Sequence, residues 1–340
     1  MSLLTVTTQD KMLPLVGDRI LRENVGLSRI LGAAKKGKWE GESMKKTIKV
    51  SKNTTGGFFT RYDLLDTSET DNKQQMVFYP QFRYKTVALA GTDLSINAIS
   101  STKIIDIAAN AMEDTSRDLA DDMGNDFYSG VGTGITMNGL ANIVDDGGTA
   151  ATYGGLTRAT YTALNATDTA SGGTVSFAKL TTLYNAISDG SMTPSLGLCD
   201  RDTFALLESL NTPQEGLYKT IDMIKGGLTG GTGYTALYHK GVPIVADRKC
   251  TSGYFFFLNE DSLDFYTVSP DGGGVLGMKP FNFKATTDGN ANTALGMGFS
   301  WGGWKMPINQ FSVVSQILFA GNFINWDPRR SGRLTGITSV

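Results

Sequence analysis

The stretch STKIIDIAANAMEDTSRDLADDMGNDFYSGVGTG, residues 101–134, decides the fold. Ile104, Ile107, Ala108, Ala111, Met112, Leu119, Met123 and Phe127 recur mostly three and four apart, the spacing of one helix face. Ser100, Ser101 or Thr102 can cap the start, and Gly130 can end it. A helix over 102–128 makes a rod of about 37 Å. Residues 103–126 hold seven acids against Lys103 and Arg117, a net −5. That acidic face is either solvated or docked on a basic element, within the chain or between chains. Gly130, Gly132 and Gly134 follow a helix instead of opening one, and no Lys-Ser/Thr ending is present. A phosphate-binding loop needs the opposite order, so these glycines read as a cap and a turn.

Upstream, the chain is basic. Residues 1–55 carry 11 Lys/Arg against 5 acids, an excess of +6. Ile20, Leu27, Ile30 and Leu31 form a partial helical stripe, and the rest reads as an extended arm with few core-forming residues. Two strand-like runs come next, KKTIKV at 45–50 and QQMVFYPQFRYKTV at 74–87. In the second, Met76, Phe78, Phe82 and Tyr84 share one face, with Tyr79, Gln81, Arg83 and Lys85 on the other. Polar turn residues 63–73 lie between the runs, which predicts a long two-stranded hairpin. An isolated hairpin is marginal in water, so this one must lie on its own domain or on a neighbouring subunit.

Downstream of 150 the texture changes to short α and β pieces. Ser176 caps a helix carrying Phe177, Leu180, Leu183, Tyr184 and Ile187. A strand at Leu196 to Cys199 leads to Asp200, which caps a helix with Phe204, Leu207 and Leu210. After a glycine-rich loop at 226–233, strands are predicted at 242–246, 254–259 and 263–268, and the strongest run is 311–319. The fold class is α+β, without internal repeats.

The inventory argues against catalysis. The 340 residues include one histidine, His239, which reads as an exposed turn residue. Any Ser-His-Asp or Cys-His arrangement would have to use it. The acidic pairs Asp121-Asp122 and Asp145-Asp146 lack the spacing of a calcium loop. Two cysteines, Cys199 and Cys250, make neither a disulfide framework nor a zinc site and suit a reduced interior. No enzyme activity, cofactor or metal is expected. The start, MSLLTVTTQD, lacks a signal-peptide pattern. No apolar run approaches the roughly 18 residues of a membrane span. A soluble protein made in the cytoplasm is expected, with no membrane partner. A net charge of −2 gives the whole chain no general attraction to nucleic acid.

In its order of elements the chain resembles the major capsid proteins of tailed bacteriophages, the Hong Kong 97-type fold. Three pieces carry the resemblance: Phe127 to Gly134 with Asn138-Gly139-Leu140; Tyr238 to Val245 followed by Phe255 to Asn259; and Asp327 to Gly332, similar to a tail strand that leaves its domain. The resemblance implies an N-terminal arm at 1–37 and an extended β-hairpin loop at 38–90. It implies a peripheral domain with the spine helix at 91–150, an axial domain at 151–300, and C-terminal strands at 301–340 returning to the peripheral domain. It implies self-assembly into pentamers and hexamers of an icosahedral phage head, made in the host bacterial cytoplasm and enclosing genomic double-stranded DNA without sequence-specific binding. Met1 and a spine helix starting near residue 102 leave no room for a fused scaffolding region, so a separate scaffolding protein is expected, with portal and decoration proteins as further partners. Topology places intersubunit contacts at Arg19, Arg22, Arg29, Phe78, Phe82, Tyr84, Arg329 and Arg330. Lys73 sits where some relatives form an isopeptide crosslink, although loop tips are usually polar in any case. Two alternatives share parts of this reading: an encapsulin-like compartment and a secreted adhesin or glycan-binding protein. The long basic arm argues against the first, and the absent signal pattern against the second.

Overall fold

The computed structural model describes residues 24–33, 35–39, 41–93, 101–170, 173–211, 219–222, 233–268, 279–284, 294–301 and 303–338. Helix α1 (Val25–Ala33) leads into β1 (Lys35–Lys38), the antiparallel pair β2 (Met44–Lys49) and β3 (Lys73–Phe78), and β4 (Gln81–Ala90). The long helix α2 (Ser101–Ser129) has 29 residues, or about 43 Å of rod. Short elements follow: α3 (Leu140–Ile143), β5 (Thr152–Tyr153), β6 (Leu156–Thr157) and β7 (Thr167–Thr169). Then come α4 (Phe177–Ile187), β8 (Leu196–Cys199), α5 (Arg201–Asn211), β9 (Lys219–Asp222), β10 (Gly233–His239), β11 (Val242–Ala246), β12 (Phe255–Leu258) and β13 (Leu263–Thr267). The last strands are β14 (Lys279–Lys284), β15 (Ala294–Trp301), β16 (Ser312–Asn325) and β17 (Gly332–Leu334).

These strands build two larger sheets. One runs β1-β13-β16-β15-β14, with β4 paired along another stretch of the 14-residue β16. The other runs β7-β17-β12-β8-β11-β10-β9. Helix α2 buries Ala108, Met112, Leu119, Met123 and Phe127, as its spacing requires; the side chains of Ile104 and Ile107 lie outside the described residues. At its end the Gly130 amide donates to the Asp126 carbonyl, and the Gly139 amide donates to the Gly130 carbonyl. A Cβ at Gly130 would stand 2.3 Å from the Met137 carbonyl oxygen, so only glycine lets this turn close. Ser176 caps α4 as predicted, its hydroxyl accepting from the Lys179 amide.

The seven-stranded sheet divides its side chains by alternation. Leu198, Val245 and Phe256 face the core beneath α2 and the six-stranded sheet. Cys199, Ile244, Phe255 and Phe257 face a second core under α4 and α5. An aromatic path joins the sheets: Phe265 to Phe323 (4.6 Å), Phe323 to Phe127 (5.5 Å), Phe127 to Tyr128 (4.9 Å), and Tyr128 to Phe256 (6.2 Å). The first core therefore spans both sheets, and the second lies on the opposite face of the seven-stranded sheet.

Four expectations change. The run at 74–87 is not one strand. Pro80 cannot donate to a ladder, and the chain breaks at Tyr79-Pro80. Before the break Met76 and Phe78 point inward; after it the phase reverses, so Phe82 and Tyr84 are exposed while Val87 is buried. Only β3 pairs with β2, and β4 joins β16 in the six-stranded sheet. Secondly, the arm packs on its own chain at 24–30: Leu27 and Ile30, from the expected helical stripe, are buried, and the Gly26 amide donates to Asp247 Oδ2 at 2.7 Å. Thirdly, the segment at Asp327 to Gly332 leaves its sheet only to join the other. It crosses from β16 in one sheet to β17, which lies between β7 and β12 of the other. Lastly, His239 is half-buried, stacked on Phe177 with ring centroids 5.8 Å apart, and its Nε2 lies 3.2 Å from the Thr181 hydroxyl. Burial, with Lys240 adjacent, lowers its pKa. The glycine-rich loop falls mostly outside the described residues.

Candidate assembly surface

Between β2 and β3, residues 51–72 form a long loop without regular strands or helices. Its shape is set by local polar bonds. Asn53 Oδ1 accepts from the Thr55 amide and hydroxyl and from the Thr70 hydroxyl. Asp63 Oδ2 accepts from the Thr60 amide at 2.6 Å, and Asp66 Oδ1 from the Ser68 amide at 2.9 Å. These amide bonds hold both carboxyls below their usual pKa. No core supports the loop: Phe58, Phe59, Tyr62, Leu64 and Leu65 are all exposed, Phe58 and Leu64 as fully as in an extended peptide. Large apolar side chains exposed in such number are a mark of interaction sites.

The base of the hairpin is fixed firmly. The Val77 amide donates to the Gly154 carbonyl at 2.9 Å. Phe78 packs edge-on against Tyr153 (5.2 Å) and Trp326 (5.7 Å), and Lys46 Nζ stands 4.3 Å over the Trp326 ring. The projecting loop thus has a rigid root.

Two further apolar regions lie open. Tyr79, Phe82 and Tyr84 stand exposed on and beside β4. Phe82 borders a cleft of about 230 Å³ whose walls include Met123, Ile135, Met137 and Phe319. Met306, Ile308 and Phe311 project from the turn before β16, the first two lining a second cleft of about 420 Å³.

Of the predicted contact residues, Phe82 and Tyr84 are exposed, and Arg329 is mostly so, bonded to Asp327 at 3.0 Å. Arg330 bonds Asp327 Oδ2 at 2.8 Å and is largely covered. Phe78 and Arg29 are corrections. Phe78 belongs to the core, and Arg29 forms a buried pair with Glu260 at 2.7 Å, whose other oxygen accepts from the Ser195 hydroxyl. Both side chains are used within the chain and leave nothing to offer a neighbour. Arg19 and Arg22 lie outside the described residues. Lys73 is exposed on β3. The reading by alternation passed over Phe58 to Leu65 and Ile308, because apolar residues in a loop have no period. The available signal was the density of large apolar residues in GGFFTRYDLL, where no element could bury them.

The acidic flank of α2 is partly docked within the chain. Asp122 bonds Arg83 at 2.9 Å and Lys85 at 2.8 Å, Asp126 pairs with Arg83, and Asp121 pairs with Lys249. Burial would raise the Asp122 pKa, but Lys85 and Arg83 outweigh it and lower it. Deeper in, Arg333 on β17 binds Asp145 Oδ1 at 2.5 Å and Asp168 Oδ2 at 2.6 Å. Asp146 completes this group of carboxylates, the one grouping of metal-ligand type among the described residues, and its cation is a guanidinium. Arg158, also buried, donates to the carbonyls of Asn142, Asp145 and Leu164, each at 2.5 Å.

No protein-family model and no curated protein matches the sequence. The capsid chain of cyanophage A-1(L) superposes with a TM-score of 0.71 at 14% identity, over 93% of each chain. The chain has the Hong Kong 97-type capsid fold. The same fold relates it to the SrpI encapsulin of Synechococcus elongatus (TM-score 0.57, 12% identity, 93% of this chain and 88% of that one). It also relates it to the capsid of a native GTA particle (0.54, 11%, 91% of each).

Proposed function

We propose that this chain is the major capsid protein of a tailed phage, assembling into pentamers and hexamers of an icosahedral head around double-stranded DNA. The observation that carries the reading is the loop at 51–72: five large apolar side chains have no cover in their own chain, on a fold whose similar structures are shells. A surface that is costly in a monomer becomes favourable when it closes on another copy. The contacts are between different surfaces of identical chains, so a fixed rotation closes rings. Arg329, Phe82 and Tyr84 are placed to join those contacts. In this reading the segment between β2 and β3 is the tip of the extended loop expected at 38–90 and the seven-stranded sheet is the axial part expected at 151–300, while β4 and β13 to β15, which fall largely within those bounds, join β16 in the six-stranded sheet, and β17 ties the end of the chain to the axial sheet. Scaffolding, portal and decoration proteins are the expected partners, and the head of the virion is the location. No catalytic role is proposed.

A second reading, an encapsulin-like compartment around protein cargo, is favoured by the superposition on SrpI. Negative-stain microscopy and light scattering of the purified protein test the shell itself. Closed particles or rings of five and six are expected, and a chain that stays monomeric even with a candidate scaffolding protein would overturn the reading. The contents of particles made in the native host, DNA or protein, then separate the two containers. Deleting residues 56–73 is expected to leave a folded monomer that forms no shells.

A further inference from the structure

The outward face of the β2–β3 hairpin carries Lys45 and Lys49 from one strand and Lys73 from the other, all exposed. Lys49 and Lys73 are register partners, directly opposite one another. Like charges so placed on a strand pair repel. Among the described residues no carboxylate forms an ion pair with any of the three. Asp71, two positions from Lys73, accepts from the Lys73 backbone amide instead. The hairpin therefore holds a cationic strip whose side chains are, among the described residues, in no ion pair.

Helix α2 presents the complement. Asp122 and Asp126 on one flank are taken by Arg83 and Lys85. Asp114, Asp118 and Asp121 form a separate exposed stripe at i, i+4 and i+7. Asp114 has only a 3.9 Å approach from Arg117, and Asp121, though paired with Lys249 and accepting from Asn125 Nδ2, remains 54% exposed. The lengths agree: Asp114 to Asp121 spans about 10 Å of helix, and Lys45 to Lys49 about 13 Å of strand.

We propose that the Lys45/Lys49/Lys73 strip docks on the Asp114/Asp118/Asp121 stripe of a second copy of this chain, and that this charge pairing sets the register in which neighbouring subunits associate. The inference rests on the shell reading and names which surfaces meet within it. Paired charges of this sort govern encounter rate and register more than raw affinity.

The test uses charge reversal in the full chain. K49E/K73E and D114K/D118K are each expected to fold, with unchanged circular dichroism, and to lose about tenfold or more of the sedimentable particles, since like charges then meet. The chain carrying all four changes restores the pairing with inverted sign and is expected to regain assembly. Wild-type assembly is expected to slow with rising salt. Full assembly of either reversed variant, or failure of the folded four-fold variant to recover, would overturn the pairing while leaving the shell reading intact, provided wild type assembles. A reversed variant that fails to fold is judged by K49Q/K73Q, whose unimpaired assembly would equally overturn it. A wild-type chain that never assembles takes both down together.

Discussion

Arg333 illustrates how a single side chain holds distant parts of this sequence. It bonds Asp168 on the neighbouring strand, Asp145 beyond α3, and the Ala141 carbonyl, all away from water. Removing one partner of a buried ion pair leaves the other charge uncompensated, which typically costs about 3–5 kcal/mol. Arg333→Met is therefore expected to lower unfolding stability by that amount at pH 7, as measured by urea titration of the unassembled chain. The pH dependence has a defined sign. Burial would raise the Asp145 pKa, but the Ala150 and Gly147 amides, Arg333 and the Thr149 amide together lower it. A depressed carboxyl stabilises above its unfolded pKa of about 3.9, and that contribution is lost as pH falls through the lower folded value. Wild type should thus weaken below about pH 4, and the gap to Arg333→Met should narrow there. A gap independent of pH would mean that Arg333 acts through packing alone. None of this was legible in the sequence, because Asp145 and Arg333 lie 188 positions apart and nothing local marks them as partners.

Among the elements, the docking of α2 on β4 combines a buried apolar stripe with a charged seam. Lys85 and Asp122 are about two-thirds covered, and pairs of this kind contribute roughly 0.3–1 kcal/mol. A double-mutant cycle of Lys85→Ala and Asp122→Ala should return a coupling in that range, shrinking in high salt. A zero coupling at low salt would assign the seam to crowding of charges and not to attraction. Elements with strong local pattern were readable: α2 from its three-and-four spacing, α4 from Ser176, and β8, β11 and β13 from short apolar runs between turns. The inversion of inward and outward faces at Pro80 was not. Alternation gives a strand its two faces but does not say which one meets the core, and that is decided by β16 on one side and β2 on the other. The same limit explains Phe78, correctly placed in a strand and wrongly aimed at a neighbour.

For the molecule as a whole, the contrast between a rigid root and an uncovered loop has a direct signature. Lys52 and Arg61 lie exposed in the loop. Trypsin is expected to cut the unassembled chain there first and to leave those bonds intact in closed shells, with the fragments identified by mass. Equal cutting in both states would remove the loop from the set of intersubunit contacts. The sequence did disclose the overall architecture, because the order of a basic arm, hairpin, long helix and alternating α and β pieces survives where identity to similar structures is 14% or less. It did not disclose the surface, whose exposed apolar residues carry no period.

Strand β17 has a consequence for biosynthesis. It lies between β7 and β12, so the seven-stranded sheet stays split until Gly332 to Leu334 have emerged from the ribosome. Until then Arg333 is absent and Asp145 and Asp168 lack their cation, although the loop at 51–72 has long been translated. A nascent chain thus displays its exposed apolar loop on a body that is still unfinished. Sister chains on one messenger would be exposed to each other in that interval, and under the proposed function the late closing strand separates a growing polypeptide from a building block ready to join a shell.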